Sequence, residues 1–128
     1  MGRFPLSIEH ETLDGRANPR YLTRIAIFYG LYQKKIMTDY SINLSTGGVF
    51  IESSMILPEG TELTVKFNLP DSDIIINVKA RVAWVNDPLE LKKASLPPGM
   101  GLQFLTLSME DMYTIRSFLD NGELMPTW

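Results

Sequence analysis

A long segment of alternating side chains, from Ile74 to Trp84, constrains the fold of this chain more than any other feature. Successive side chains of a β-strand point to opposite faces, so apolar residues at every second position predict a strand with one buried side. The residues expected to face the core are Ile74, Ile76, Val78, Ala80, Val82 and Trp84, with Asn77, Lys79 and Arg81 pointing the other way. We expect Trp84 to belong to the core rather than to form a stacking platform, because aliphatic residues flank it.

Several shorter segments show the same period of two, and turn residues separate them. Strands are predicted from Arg24 onward, over 36–45, over 49–52, over 63–69 and over 100–105. Turns are predicted at Lys34–Lys35, Leu57–Gly60 and Pro70–Asp73. Within 36–45, the alternation places Ile36, Tyr40, Ile42 and Leu44 on one side and Met37, Asp39, Ser41, Asn43 and Ser45 on the other. Asn43 and Ser45 are therefore expected to share an outward polar face.

A single helical pattern follows the last strand. Ser108 is an expected N-cap, and Asp111 stands three residues later in the first turn. Met112, Ile115, Phe118 and Leu119 then recur at helical spacing until Gly122. Several strands followed by one helix predict a mainly β fold, a small six-stranded antiparallel β-barrel with a C-terminal α-helix.

The chain divides into one domain and two short flanking segments. Residues 1–18 show no sustained period and contain Pro5 and Gly15, so we interpret them as a flexible N-terminal arm. The domain is expected over residues 19–122, with a C-terminal tail over 123–128. Asn18–Pro19 has the residues of a helix start, which leaves two conformations open for the segment after it.

Composition excludes several classes of function. The 128 residues suit one domain, and the absence of cysteine excludes both disulfides and thiolate metal sites. With a net charge of −3, the chain is a poor candidate for binding nucleic acid polymers, and no apolar stretch is long enough for membrane insertion. We expect a soluble, cytoplasmic protein. His10 is the sole histidine and has no partner motif, so neither catalytic residues nor a metal site is predicted and an enzyme is not expected.

Two arginines, Arg20 and Arg24, are candidate ligand-binding residues. Four of the six arginines lie in the first 24 residues, so positive charge is concentrated on a mildly acidic chain. The guanidinium group presents a planar fork of donors that matches both phosphate oxygens and the acceptor edge of guanine. The two residues lie on one side at roughly 13 Å in a strand, or at about 6 Å in a helical turn. The alternative is a solvated pair of surface charges.

A second polar motif, Asn43-Leu44-Ser45-Thr46-Gly47-Gly48, follows one strand hairpin later. Asn43 and Ser45 can each donate and accept hydrogen bonds, and Gly47 and Gly48 allow a ligand to approach the main chain closely. Asn, Ser and Gly are also the residues that any tight turn selects, so turn chemistry is the alternative explanation.

The pair of motifs, RxxxR and NxSxxG, resembles the signature of the PilZ domain family of bacterial cyclic di-GMP receptors. Further likeness comes from Lys79–Val85 and Gly99–Phe104, which resemble the penultimate and last barrel strands of that family. The resemblance implies a PilZ-like split barrel without a cofactor. It also implies that cyclic di-GMP contacts Arg20, Arg24, Asn43, Ser45, Gly47 and Gly48, with Arg16 as an additional candidate.

The same resemblance implies a signalling receptor or adaptor that changes conformation on binding and regulates an unknown protein effector, for example in motility, biofilm formation or surface attachment. Pro19 stands where many members carry an additional arginine that accompanies an intercalated ligand pair, which favours one bound molecule. Two alternatives stay open. The first is a PilZ-like protein-interaction scaffold that does not bind the nucleotide, and the second is a small barrel that binds single-stranded nucleic acid.

Overall fold

A computed structural model describes residues 20–31, 36–70, 72–121 and 126–127. Within these ranges the chain forms eight strands and one helix. In chain order they are β1 (Arg20–Leu22), β2 (Ala26–Gly30), β3 (Met37–Leu44), β4 (Gly48–Glu52), β5 (Glu62–Asn68), β6 (Ile75–Asn86), β7 (Gly99–Phe104), α1 (Met109–Asn121) and β8 (Pro126–Thr127). Among the described residues, no helix is long and apolar enough to cross a membrane.

Six of these strands close into an antiparallel barrel in the order β2-β5-β6-β7-β4-β3, and β3 pairs back onto β2. Strand β3 has two partners along one edge: β2 pairs with its first half and β1 with its last residues. Strand β8 then pairs with the other side of β1. The predicted mainly β fold, a six-stranded antiparallel barrel with a C-terminal helix, is confirmed.

The barrel core is filled by the alternating apolar residues of the long strands. Ile76, Val78 and Ala80 of β6 are at most 3% exposed, as are Val65 and Phe67 of β5. Burying a side chain of this size contributes about 1.5 to 3 kcal/mol relative to leaving it exposed. Burial of these alternating apolar side chains therefore supplies most of the driving force for closing the barrel.

Helix α1 packs one apolar stripe onto this core. Ile115 is fully buried and Leu119 nearly so, and Phe118 packs beside them. The helix begins where the sequence predicts, because the hydroxyl of Ser108 accepts a hydrogen bond of 3.0 Å from the amide of Asp111. Loss of such a cap costs about 1 kcal/mol.

A bulge in β3 overturns the predicted alternation of residues 36–45. The pairing with β4 shifts between Ser41 and Asn43, so Ile42 is an extra residue. Upstream of the bulge the sides are the reverse of those expected: Tyr40 is 49% exposed, whereas Ser41 is 1% exposed and lies on the core side. Downstream, Leu44 joins the core and Asn43 points away from it as predicted, whereas Ser45 is buried in the turn that follows.

A second bulge, in β6, moves Trp84 out of the core. The pairing with β7 shifts between Val82 and Trp84, so Ala83 is the extra residue. Val82 is buried in the core, but Trp84 lies on the opposite side of the sheet and stacks on Phe50. The expectation that Trp84 belongs to the core was wrong. Ile74, expected to face inward, precedes the strand and is 48% exposed.

Four sequence-based predictions fall outside the described residues. They concern the N-terminal arm over 1–18, the helix start at Asn18–Pro19, the turn at Lys34–Lys35 and the helix end at Gly122. Residues 126–127, within the predicted C-terminal tail, form β8 and so join the sheet beside β1.

Candidate functional site

The first site residue, Arg20, is placed by strand β1 on the outer face of the barrel, the side of the sheet turned away from the core. Its neighbour Tyr21 packs against the core and pairs with Leu44, so Arg20 and Leu22 point outward. Asn43 is paired with Leu22 and therefore shares this face. The guanidinium of Arg20 donates to the side-chain oxygen of Asn43 over 3.0 Å. The two predicted motifs are thus joined by a direct side-chain contact.

Asn43 is only 4% exposed although it points away from the core. A buried amide needs hydrogen-bond partners, because an unsatisfied polar group costs about 1 to 3 kcal/mol. The bond from Arg20 supplies one partner to the side-chain oxygen of Asn43. Arg20 lies in an extended strand, so of the two conformations left open by the sequence, the structure has the extended one at this residue.

A row of outer-face residues continues from Asn43 across the sheet. Asn43 pairs with Phe50 of β4, Phe50 with Gly101 of β7, and Gly101 with Trp84 of β6. We call these four residues, together with Leu22, the outer row. It crosses five strands and ends beneath the ring of Trp84.

The end of the outer row is an aromatic stack. The rings of Phe50 and Trp84 lie 5.2 Å apart at an interplanar angle of 26°, which is within the range of favourable aromatic pairs. Gly101 makes room for it, because a Cβ at this position would lie 2.1 Å from Nε1 of Trp84. The sequence analysis did not predict this stack, although a glycine in β7 and a tryptophan in the adjacent β6 are a usable signal.

Arg24 lies on the same outer face, beside Tyr40 and Glu52. It stands in the segment 23–25 between β1 and β2, and 62% of its side chain is exposed. Its guanidinium lies 3.6 Å from the carboxylate of Glu52 and 4.8 Å from the centre of the Tyr40 ring. Tyr40 and Glu52 are paired across β3 and β4, so they form one small platform under the arginine. Both contacts are of the weak, solvent-screened kind.

Ser45 is placed inside the turn between β3 and β4 rather than on the surface beside Asn43. It is 1% exposed, and its hydroxyl accepts hydrogen bonds from the amides of Gly47 at 3.0 Å and Gly48 at 3.2 Å. The backbone amide of Ser45 also donates to the carbonyl of Gly48 over 2.9 Å. These bonds are the turn chemistry that the sequence analysis kept as an alternative.

Gly48 has a packing reason to be glycine. A Cβ here would lie 2.1 Å from the carbonyl oxygen of Leu102 on the neighbouring strand β7. The closeness of β4 to β7 therefore requires a residue without a side chain at the exit of the turn.

The structure thus brings Arg20 and Asn43 into contact and puts Arg24 on the same face, next to Tyr40 and Glu52. Ser45, Gly47 and Gly48 form the turn that follows Asn43, and Arg16 lies outside the described residues. Across the ranges that the structure describes, no three His, Asp or Glu side chains are grouped in a way that would hold a metal ion. The chemistry available on this face is hydrogen bonding and charge pairing to an anion, beside an aromatic stack.

A comparison with models of known protein families gives a match over most of the chain. The family model described as the PilZ domain matches residues 14–121. A search of curated proteins finds no match.

Solved structures share the fold at low sequence identity. The inhibitor of motility MotI/DgrA from Bacillus subtilis superposes with a TM-score of 0.64 at 19% identity, over 85% of this chain and 54% of that one. The PilZ domain of YcgR from Escherichia coli, solved with c-di-GMP, has a TM-score of 0.61 at 14% identity, over 79% and 86%. YcgR in complex with c-di-GMP has a TM-score of 0.65 at 15% identity, over 82% and 44%. The present chain therefore spans about half the length of MotI/DgrA.

Proposed function

This chain belongs to the PilZ domain family, and we propose that it is a receptor that binds cyclic di-GMP on the outer face of its barrel. Two similar solved structures, both of YcgR, contain c-di-GMP, which supports this ligand. The observation that carries the proposal is the 3.0 Å hydrogen bond between Arg20 and Asn43, which joins the two motifs on one surface.

In this proposal Arg20 and Arg24 hold the phosphates and guanine edges of the ligand. A guanidinium fork matches both groups, and each charge-assisted hydrogen bond contributes about 1.5 to 3 kcal/mol. Asn43 accepts a hydrogen bond from Arg20 and so helps to hold it on this face. Arg24 is largely exposed and held by weak contacts, so exchanging Glu52 for a ligand phosphate costs little.

Ser45, Gly47 and Gly48 have an indirect role in the proposed site. Their hydrogen bonds shape the turn that directly follows Asn43, and this turn sets where the strand carrying Asn43 ends. We also propose that residues 1–18 act as an arm that closes over the ligand and that Arg16 adds a contact. Slower amide hydrogen exchange over residues 1–24 with saturating ligand is the expected result, and unchanged exchange would contradict the arm.

Isothermal titration with cyclic di-GMP tests the receptor function. We expect Arg20→Ala to weaken binding by roughly tenfold to beyond a hundredfold, because the loss of 1.5 to 3 kcal/mol corresponds to such factors. The matched control is Arg116→Ala, which removes an exposed arginine of helix α1 that lies outside both motifs. Equal affinities for the two variants would refute the assignment. Because Pro19 replaces the additional arginine, we expect a stoichiometry near one.

We further propose that the ligand-bound receptor regulates a protein partner in motility, biofilm formation or surface attachment. One similar structure is described as an inhibitor of motility, which supports this class of process. A second candidate function is an interaction scaffold without nucleotide binding. It is supported by the Ser45 hydroxyl, which bonds the backbone of its own turn, and a folded protein that does not bind cyclic di-GMP would favour it.

A further inference from the structure

The backbone around Arg24 is irregular in a specific way. Strands β1 and β2 both pair with β3, but the ladder breaks at residues 23–25, opposite the bulge at Ile42. Two backbone bonds span the break: the amide of Thr23 donates to Ile42 over 3.0 Å, and the amide of Ser41 donates to Ile25 over 2.9 Å. The break leaves the carbonyl of Thr23 and the amide of Ile25 to be satisfied by other groups.

One side chain satisfies both groups. The hydroxyl of Ser41 donates to the carbonyl of Thr23 and accepts a hydrogen bond of 2.9 Å from the amide of Ile25. Ser41 is 1% exposed, and Thr23 and Ile25 are each 8% exposed, so water has little access to these bonds. A buried backbone group that loses its partner costs about 1 to 3 kcal/mol.

The residue between these two bonds is Arg24. The peptide groups before and after it are tied to the same hydroxyl, so the direction in which its side chain leaves the backbone is fixed. Within the described part of the chain, the guanidinium itself is held by exposed contacts to Tyr40 and Glu52. The position of Arg24 relative to Arg20 therefore depends on the two buried hydrogen bonds of the Ser41 hydroxyl.

We propose that Ser41 is a positioning residue for cyclic di-GMP, acting through Arg24 without touching the ligand. This inference rests on the proposed receptor function. It follows from the core-side location of Ser41, opposite to the outer face that carries Arg20, Arg24 and Asn43. Sequence alternation predicts Ser41 on the same side as Asn43, and the bulge at Ile42 puts it on the opposite side.

A matched serine elsewhere in the barrel separates positioning from stability. Ser53 is 4% exposed, and its hydroxyl also bonds two backbone groups, the amide of Met55 at 3.0 Å and the carbonyl of Met55 at 3.3 Å. It stands one residue after Glu52 but on the core side, and it has no bond to the segment 23–25. Ser53→Ala also removes a 3.1 Å contact with the hydroxyl of Tyr29, so it costs the barrel at least as many bonds as Ser41→Ala, but only Ser41 holds Arg24.

The experiment combines urea unfolding with isothermal titration of cyclic di-GMP. We expect both Ser41→Ala and Ser53→Ala to lower the unfolding midpoint, and only Ser41→Ala to weaken binding, by roughly fivefold to thirtyfold. In an Arg24→Ala background, Ser41→Ala should change affinity by less than about twofold, because coupled residues are not additive. Ser41→Cys, whose thiol is a weaker donor and acceptor, should fall between wild type and Ser41→Ala.

Three results would overturn the inference. The first is binding by Ser41→Ala, or by Ser41→Cys if the alanine variant does not fold, that equals binding by the corresponding Ser53 variant. The second is an undiminished effect of Ser41→Ala in the Arg24→Ala background. The third is wild-type affinity for Ser41→Cys together with a lowered unfolding midpoint. Failure of the wild-type protein to bind would instead refute the receptor function.

Discussion

The carboxylate of Glu52 lies 3.6 Å from the guanidinium of Arg24 and forms an ion pair with it. A carboxylate has a negative charge, as a phosphate does. Both side chains are about half or more exposed, at 48% and 62%. Solvent therefore screens the pair, and pairs of this kind contribute only about 0 to 1 kcal/mol. Glu52 acts on the proposed site as a competitor of low strength.

Removing this competitor should tighten ligand binding. We expect Glu52→Gln to increase the affinity for cyclic di-GMP by roughly twofold to fivefold at low salt, and less at high salt. Titration calorimetry at two salt concentrations measures the effect. Glu59→Gln is the control, because Glu59 has nearly the same exposure, 49%, and pairs with Lys92 at 3.1 Å instead. Unchanged or weaker binding by Glu52→Gln would mean that Arg24 does not exchange partners.

The Phe50 and Trp84 stack should depend on the missing side chain at Gly101. We expect Gly101→Ala to displace the Trp84 ring, because its Cβ would lie 2.1 Å from Nε1, and to destabilise the fold by about 1 to 3 kcal/mol. Urea unfolding and tryptophan fluorescence in a Trp128→Phe background measure the two effects. Gly60→Ala is the control, because Gly60 has a φ of 90° and open space around it. That variant should lose stability without altering the emission of Trp84.

Tyr29 gives the stability of the barrel a dependence on alkaline pH. Its hydroxyl donates to Asp39 over 2.6 Å and lies 3.1 Å from the hydroxyl of Ser53. Burial, followed by the hydrogen bond to Asp39, raises the pKa of Tyr29 to about 12. In the unfolded chain a tyrosine has a pKa of about 10, so the folded state holds this proton more tightly.

The stabilisation from this proton is complete below pH 10 and is lost as the pH rises towards 12. We expect wild type to lose about 1 kcal/mol relative to Tyr29→Phe between pH 10 and pH 11. Urea unfolding of both proteins across this range measures the difference. Tyr113→Phe, at a residue that is 72% exposed, should run parallel to wild type. Parallel curves for Tyr29→Phe as well would show that the pKa of Tyr29 is not raised.

Most of the architecture could be predicted because it depends on short-range sequence patterns. The period of two located β5 and most of β6, and Ser108 with its helical stripe located α1. The two motifs also predicted that Arg20 and Asn43 belong to one surface. These features depend on neighbours in sequence, so residue type and spacing are sufficient to predict them.

The bulges could not be predicted, because each is a single extra residue without a compositional mark. Ile42 and Ala83 fit the expected alternation by type, yet each shifts the side of every residue beyond it. For this reason Ser41 and Trp84 were assigned to the wrong faces. Which strand accommodates an extra residue is decided by the pairing partner, and the partner is distant in sequence.

The bulge at Ile42 also divides β3 into two parts that differ in which residues face the core. Upstream of it, core packing restrains the inward residues of β3, whereas downstream the outward residues belong to the proposed ligand surface. A change of specificity at Asn43 can therefore arise without repacking the barrel interior. A strand with such a bulge can change its outward residues while the same core is kept.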